Sequence, residues 1–257
     1  KAFAGAADVV WVEQTEQLGT GHAVMVCGEH LTGLDGPVLV VAGDGPLVRG
    51  ETLAELLGAH TRAGAACTLA TCILDDPKAY GRILRDDAGE LIGIVEYLDA
   101  DEAQRAVSEV NVSLYCYDAR RLREALGRLT NDNAKGEYYI TDTLALLRAD
   151  GHRLAAVPAV PPQDVLSIND RVQLAQVNAL MQQRTVERLM LAGVTVEQPA
   201  TVWIDPRVEI GPDTVVRPNT VLDGPCRIGR GCVIGPFVHL AAAVIGDGAV
   251  VKRGNGQ

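Results

Sequence analysis

The stretch Ile204-Asp-Pro-Arg-Val-Glu-Ile210-Gly-Pro-Asp-Thr-Val-Val216-Arg-Pro-Asn-Thr-Val-Leu222-Asp-Gly-Pro-Cys-Arg-Ile228-Gly-Arg-Gly-Cys-Val-Ile234-Gly-Pro-Phe-Val-His-Leu240 repeats an aliphatic residue every six positions. A second array, Val208, Thr214, Thr220, Cys226, Cys232, Val238 and Val244, follows four residues behind and is small or β-branched throughout. Neither a helix (period 3.6) nor an ordinary strand (period 2) repeats every six, so the pattern is that of a repeat architecture. It predicts a left-handed parallel β-helix, in which each unit is one short strand and a turn and three units close a triangular coil. Both arrays would then face inward, buried by neighbouring coils. Gly211, Gly229 and Gly235, just behind aliphatic positions, are expected to supply the backbone freedom of the corners. About three coils fit between Val194 and the end of the chain, and the array is expected to fade where Gly246 breaks it.

The rest of the chain is large enough for a second domain. Of its 257 residues 47% are hydrophobic, so a sizeable core is expected rather than disorder. A net charge of −10 argues against a nucleic-acid partner, although bound Mg²⁺ can still bring phosphates to carboxylates. The six cysteines show no C-x-x-C pair and sit in apolar runs or in the repeat, as buried thiols of a reducing compartment would. No stretch reaches the length of a membrane span and no signal peptide is recognisable, so a cytoplasmic protein is expected. The first residue is not Met, and the tail from Lys252 to Gln257 does not read as a cap, so the chain is expected to be cut at both ends of a longer product.

Residues 1–170 alternate strand and helix signals. Strands are expected at Pro37–Ala42, Ala66–Ile73, Ile92–Tyr97, Val110–Tyr117 and Leu154–Val160, the first of them continuously buried. A helix start is expected from Gly21, and helices at Glu51–Gly64, Ala119–Leu129 and Thr141–Asp150. Such alternation predicts an α/β domain with an open parallel or mixed sheet covered on both faces. Residues 171–193 read as a linker helix of about six turns, with an apolar stripe of Val172, Leu174, Ala175, Val177, Leu180, Val186, Leu189 and Met190, stopped by Gly193. Residues 194–257 carry the repeats.

Three segments of the first domain could carry chemistry. Asp44 lies just past the Pro37–Ala42 strand, where sites of open α/β sheets form. The local Gly43-Asp-Gly-Pro fits a plain turn and a metal–phosphate site equally well. In Gln14-Thr-Glu-Gln-Leu-Gly-Thr-Gly-His22, the glycines flanking Thr20 would let a flat ligand approach the main chain, and His22 reads as a helix-start residue. Gly136-Glu-Tyr-Tyr-Ile-Thr-Asp142 is polar and aromatic before a helix that Thr141 or Asp142 would cap. There is no nucleophile elbow and no P-loop lysine motif.

Taken in order, Gln14-x-x-Gln-Leu-Gly-Thr-Gly-His-Ala, Gly43-Asp44-x-Pro-Leu, Tyr80-Gly81-Arg82, Ile94-Val95-Glu96, Glu109-Val110-Asn111, Gly136–Asp142 and Asn169-Asp-Arg-x-Gln-Leu174, followed by hexapeptide repeats, resemble one family. It is that of the bacterial bifunctional N-acetylglucosamine-1-phosphate uridyltransferases/glucosamine-1-phosphate acetyltransferases. The resemblance implies a Rossmann-like nucleotidyltransferase domain in which a sugar 1-phosphate oxygen attacks the α-phosphorus of UTP in line and pyrophosphate leaves. Positioning and charge neutralisation then carry the catalysis, with no covalent intermediate. By motif match, Asp44 and Asn169 would hold Mg²⁺. Gln14, Gly19 and Thr20 would meet the uracil, and Gly43 would lie beside the nucleotide. Gly81, Glu96 and Asn111 would bind the N-acetylglucosamine unit, with Tyr139 and Thr141 near it. The β-helix of this family usually forms a trimer.

The departures are informative. The family's phosphate-binding Gly-rich loop, with its Arg and downstream Lys, has no counterpart in the thirteen residues before Gln14, so little or no turnover is expected of the chain as it stands. Gly45 replaces a larger apolar residue, and Asn111-Val-Ser113 stands where Asn-Thr-Gly is usual. Ala241 occupies the place of an acetyl-acceptor Arg, so no site for acetyl-CoA chemistry is carried over. Two other readings stand beside this one: a pyrophosphorylase for another sugar 1-phosphate, and a non-catalytic sugar-nucleotide-binding or trimer-forming scaffold.

Overall fold

In a computed structural model describing residues 6–252, the chain divides into two compact units, Lys1–Val165 and Leu166–Gln257. Residues 166–170 group with the helix that follows them. The first few residues and those after Lys252, including most of the tail read as a cut end, lie outside the described residues.

The first unit is built on β5 (Glu109–Asp118), whose β-branched and aromatic residues suit a strand buried on both faces. β2 (Cys67–Ile73) pairs antiparallel with β5 along one side, and β6 (Leu154–Val157) pairs parallel with β2. The other side of β5 is shared. β1 (Pro37–Val41) pairs with its C-terminal half, Val41 opposite Leu114. β3 (Arg82–Arg85) meets it at Val110, and β4 (Leu91–Val95) pairs with β3. The sheet is therefore mixed, as expected, and forks beside Asn111–Ser113.

Pleating sends alternate residues of β5 to opposite faces. Tyr115 and Tyr117 pack with Leu122, Leu126, Leu144 and Leu147 of α5 (Ala119–Leu126) and α6 (Asp142–Ala149). Leu114 and Cys116 pack with Leu56 of α3 (Gly50–Ala63). Both faces are thus covered. Gly64 in the left-handed region, φ 55°, ends α3.

One expectation fails here. β1 is an edge strand, with Leu39 39% and Val41 44% exposed, because only β5 pairs with it. Its continuous apolar run signals affinity for neighbours on both sides, not their presence. Val10 and Trp11, also apolar in sequence, form no strand and are exposed. β3 was not foreseen, since Arg at both ends of four residues hides the strand signal.

In the second unit, α7 (Arg171–Leu191) begins at a capping box of Asp170 and Gln173. Val177, Val186 and Leu189 bury the helix's inner stripe, whereas Val172 (68%) and Leu174 (41%) of the expected stripe are exposed. The repeats then form three parallel sheets. One stacks β7 (Thr195–Val196), β10 (Val215–Val216), β13 (Val233–Ile234) and β16 (Val250–Val251). Another stacks β8 (Trp203–Ile204), β11 (Val221–Asp223) and β14 (His239–Ala241). The third stacks β9 (Glu209–Ile210), β12 (Arg227–Ile228) and β15 (Val244–Ile245). Ile204, Val216, Leu222, Ile228 and Ile234 are buried along the axis, with Cys226 and Cys232 among them.

The repeat does not fade at Gly246; it loses one residue. Arg227 pairs with Val244, one residue closer than the eighteen separating Val221 from His239. A one-residue slip exchanges inside for outside. Val244, expected inward, is 81% exposed, and Ala243 and Ile245 take the inner positions.

The glycines also act differently from expectation. Left-handed φ values fall mostly at other corner positions, such as Asp213 (63°), Asn219 (57°) and Gly231 (64°). Gly211 and Gly229 permit close stacking instead. A Cβ on Gly211 would lie 2.6 Å from the Arg230 nitrogen, and one on Gly229 would lie 2.7 Å from that of Asp247. Gly235, φ 97°, does fit the original reading.

Candidate functional site

The fork in the sheet makes a cavity. At its rim the Ala42 N–H donates to the Ser113 carbonyl (3.2 Å) and the Asn111 N–H to the Gly81 carbonyl (2.8 Å). Between these two pairings β5 has no neighbour on that side, and an opening of about 430 Å³ results. Thr20, Gly43, Gly81, Glu96, Asn111, Tyr139 and Thr141 all line it. Seven residues singled out along more than a hundred positions of sequence thus meet at one place.

Local packing explains why each is there. The Gly19–Gly21 turn is clamped to the 137–140 segment: Tyr138 N–H donates to Leu18 O (2.8 Å) and Gly21 N–H to Tyr138 O (2.7 Å). The Thr20 hydroxyl accepts from Ile140 N–H (3.1 Å). A Cβ on Gly19 would sit 2.7 Å from the Tyr138 carbonyl, so this glycine admits the protein's own main chain. Gln14 holds the turn from outside, its amide nitrogen 3.2 Å from Gly19 O and 3.0 Å from His22 Nδ1. α1 (Thr20–Met25) starts directly behind it.

Gly81 is held at the opposite wall by Arg82. This buried guanidinium donates to the carbonyls of Lys78 (2.8 Å), Arg105 (3.2 Å) and Tyr80, and lies over the Tyr97 ring. A Cβ on Gly81 would approach the Glu96 carboxylate to 3.3 Å, so glycine leaves that carboxylate accessible.

Thr141 precedes α6 but makes no side-chain cap; its hydroxyl donates to Glu96 Oε1 at 3.3 Å instead. Burial raises the Glu96 carboxyl above the ordinary range, and neither the Thr141 bond nor nearby Lys135 offsets it. An acid whose folded value lies above its unfolded one costs no stability below its ordinary pKa and subtracts stability as pH rises through the raised value. Glu96→Gln is therefore expected to raise the melting temperature at pH 7.5 and leave it nearly unchanged at pH 4. Thermal denaturation at the two pH values reads this difference.

Tyr115 and Lys135 line the cavity with no mark in the sequence, where Tyr115 reads as an ordinary strand core residue and Lys135 as a loop residue; Glu137 lines it from within the Gly136–Asp142 segment already singled out. Ser113 also lines the cavity at φ 57°, in the left-handed region. That conformation costs a non-glycine residue roughly 1–2 kcal/mol, against a unfolded-state penalty of about 0.5–1 kcal/mol for glycine. Ser113→Gly is expected to stabilise the chain by about 0.5 kcal/mol in urea unfolding.

Asp44 and Asn169 are placed outside this lining. Asp44 follows Gly43, is exposed, and makes no hydrogen bond or ion pair among the described residues. Asn169, in the second unit, donates through its backbone N–H to Gln173 Oε1 (2.6 Å) and through Nδ2 to Ser167 Oγ (3.2 Å). Its Oδ1 has no partner among the described residues. Each therefore presents an uncommitted hard oxygen, the donor type Mg²⁺ takes. No cluster of three or more His, Cys, Asp or Glu that could hold a metal occurs among the described residues, and no helix is long and apolar enough to cross a membrane.

Two family models match the chain, one over each of these architectures. The model for nucleotidyl transferases matches residues 4–165, and that for the bacterial transferase hexapeptide (six repeats) matches residues 207–242. The chain belongs to the nucleotidyl transferase family. More particularly, it is similar to proteins named bifunctional protein GlmU. It is 50% identical over 245 residues to that of Mycolicibacterium gilvum, covering 95% of this chain and 49% of the relative. It is 48% identical over 244 residues to that of Thermobifida fusca, covering 93% and 50%. With the relative from Streptococcus equi subsp. zooepidemicus the identity is 45%, covering 94% and 53%. The chain spans about half the length of the curated relatives it matches.

Proposed function

We propose that the first unit carries the sugar-nucleotide site of a Mg²⁺-dependent uridyltransferase, joining UTP and N-acetylglucosamine 1-phosphate into UDP-N-acetylglucosamine with release of pyrophosphate. The observation that carries this reading is the convergence of Gly81, Glu96, Asn111, Tyr139 and Thr141 on one cavity beside the Gly19–Thr20 turn. A half-buried carboxylate and a buried carboxamide suit a neutral sugar with hydroxyl and acetamido groups. Glu96 would accept from a sugar hydroxyl, and Asn111 would hydrogen-bond the N-acetyl unit. Gln14, Gly19 and Thr20 would receive the uracil, and Gly43 would pass close to the nucleotide.

Asp44 and Asn169 would hold the magnesium ion, which when bound neutralises phosphate charge. The chain's own residues contribute positioning: the clamped turn fixes the base, and the fork of the sheet fixes the sugar. In the whole protein we place this activity in the cytoplasm, in supply of cell-envelope precursors, with assembly into a homotrimer through the β-helix. No residue of this chain is assigned to an acetyl-CoA-dependent activity.

Binding of UDP-N-acetylglucosamine in Mg²⁺, followed by calorimetry against UDP-glucose and GDP-mannose, tests the reading. Preference for the first is expected, with loss on Glu96→Gln. Equal binding of all three would favour a pyrophosphorylase of another specificity, and binding indifferent to Mg²⁺ and to Asp44→Ala would favour a scaffold.

A further inference from the structure

Asn111 and Tyr115 form a bonded pair inside the cavity that the sequence did not reveal. Both are buried, at 6% and 1% exposure. The Ser113 backbone N–H donates to Asn111 Oδ1 at 3.1 Å, and Asn111 Nδ2 donates to the Tyr115 hydroxyl at 2.7 Å. A carboxamide can usually be turned over without contradiction, because its oxygen and nitrogen look alike. Here it cannot. A backbone N–H only donates, so the atom facing Ser113 must be the oxygen. The nitrogen is then fixed on the Tyr115 side, and the phenol oxygen accepts from it.

This leaves one N–H of Nδ2 without a partner among the described residues, on a side chain that lines the cavity. An unpaired donor on the wall of a cavity is placed to meet an acceptor of the ligand. The backbone conformation of Ser113, φ 57°, is what brings its N–H round to Asn111 Oδ1 only two residues away. Tyr115 in turn is held by its ring, which packs in the core with Leu69, Leu122 and Leu144. Burial pushes its hydroxyl well above the ordinary phenol range, so it stays a neutral hydrogen-bonding group at every working pH.

The geometry points to Tyr115 as a positioning residue that fixes Asn111 as a hydrogen-bond donor, aimed at an acceptor oxygen of the sugar, the acetamido carbonyl. The choice of ligand rests on the function proposed above; the aiming of the side chain does not. Without the phenol oxygen, the Asn111 nitrogen loses its anchor, and the donor is no longer held toward the ligand. Tyr115 need not touch the sugar for this.

The test uses the whole chain and Tyr115→Phe, which keeps the ring. On the unliganded chain, the Asn111 side-chain NH₂ resonances are followed by ¹⁵N NMR. They are expected to shift and to exchange faster with water in the variant. In Mg²⁺, the ratio of UDP-glucose to UDP-N-acetylglucosamine dissociation constants is expected to fall by about three- to tenfold, the effect of one hydrogen bond. A purely structural role would weaken both ligands alike and leave the ratio unchanged. Asn111→Asp keeps the acceptor for Ser113 and removes the donor, so it should lower the ratio similarly even if Tyr115→Phe folds poorly. Unmoved Asn111 resonances, or an unchanged ratio in either variant, would overturn the assignment. If neither sugar nucleotide binds the parent chain, the proposed function fails, and the Asn111 resonances alone decide the role of Tyr115.

Discussion

Gly229→Ala is expected to break the β-helix, costing about 3 kcal/mol or more. The new methyl carbon would stand 2.7 Å from the Asp247 nitrogen and 2.9 Å from its Cα, both main-chain atoms of the next coil. Main chain cannot move aside as a side chain can. The ladder bond from Gly229 N–H to Ile245 O (2.9 Å) and that from Arg230 N–H to Asp247 Oδ1 (2.9 Å) lie at the same corner and would be strained with it. In a solenoid each coil is held only by its neighbours, so one pushed apart releases the rest. Gly246 is the control: it follows the stacked Gly211 and Gly229, and a Cβ there meets nothing within 4 Å. Trp203 fluorescence during thermal unfolding, in a Trp11→Phe background, reports on the second unit alone. An early transition for Gly229→Ala and a parental one for Gly246→Ala are the expected results.

Asp44→Ala is expected to lower Mg²⁺-dependent binding of UDP-N-acetylglucosamine by about 100-fold. Loss of residues that merely support a ligand costs about 10–100-fold in metal affinity, and removal of a carboxylate that ligates directly, as proposed for Asp44, should cost at least as much. The fold should not change. Asp44 is exposed and has no protein partner among the described residues, so its removal orphans nothing. The melting temperature without ligand should therefore stay at the parental value while the shift produced by Mg²⁺ and sugar nucleotide disappears. Calorimetry and a melting scan on the same sample separate the two effects.

What the sequence discloses depends on how local the cause is. The six-residue period states the β-helix outright, because every coil repeats the same inward demand. The missing residue between Ile228 and Ile245 is invisible until Ala243 and Val244 are seen to trade sides, since both are small and apolar. The helix read over residues 171–193 forms from Arg171 to Leu191, yet Val172 and Leu174 of its stripe are exposed, because periodicity does not say where a partner ends. In the first unit, Gly19 reads as a place where a ligand could approach the main chain, and Gly81 enters only through the resemblance, as a sugar contact. The identity of the approaching group, Tyr138 in one case and the Glu96 carboxylate in the other, follows only from the fork in the sheet. Tyr115 gave no signal because a tyrosine on a buried strand looks the same whether its hydroxyl is idle or aims a neighbour.

In the function proposed above, Asp44 and Asn169 serve one divalent ion beside a sugar nucleotide. Mn²⁺, whose free form is counted by electron paramagnetic resonance, substitutes for Mg²⁺ in the decisive titration. It is run with UDP-N-acetylglucosamine on the parent chain, Asp44→Ala, Asn169→Ala and the double variant. Each single substitution is predicted to weaken Mn²⁺ binding strongly, with the double variant no worse than the weaker single one. Parental Mn²⁺ affinity in either single variant, or losses that simply add, would contradict it.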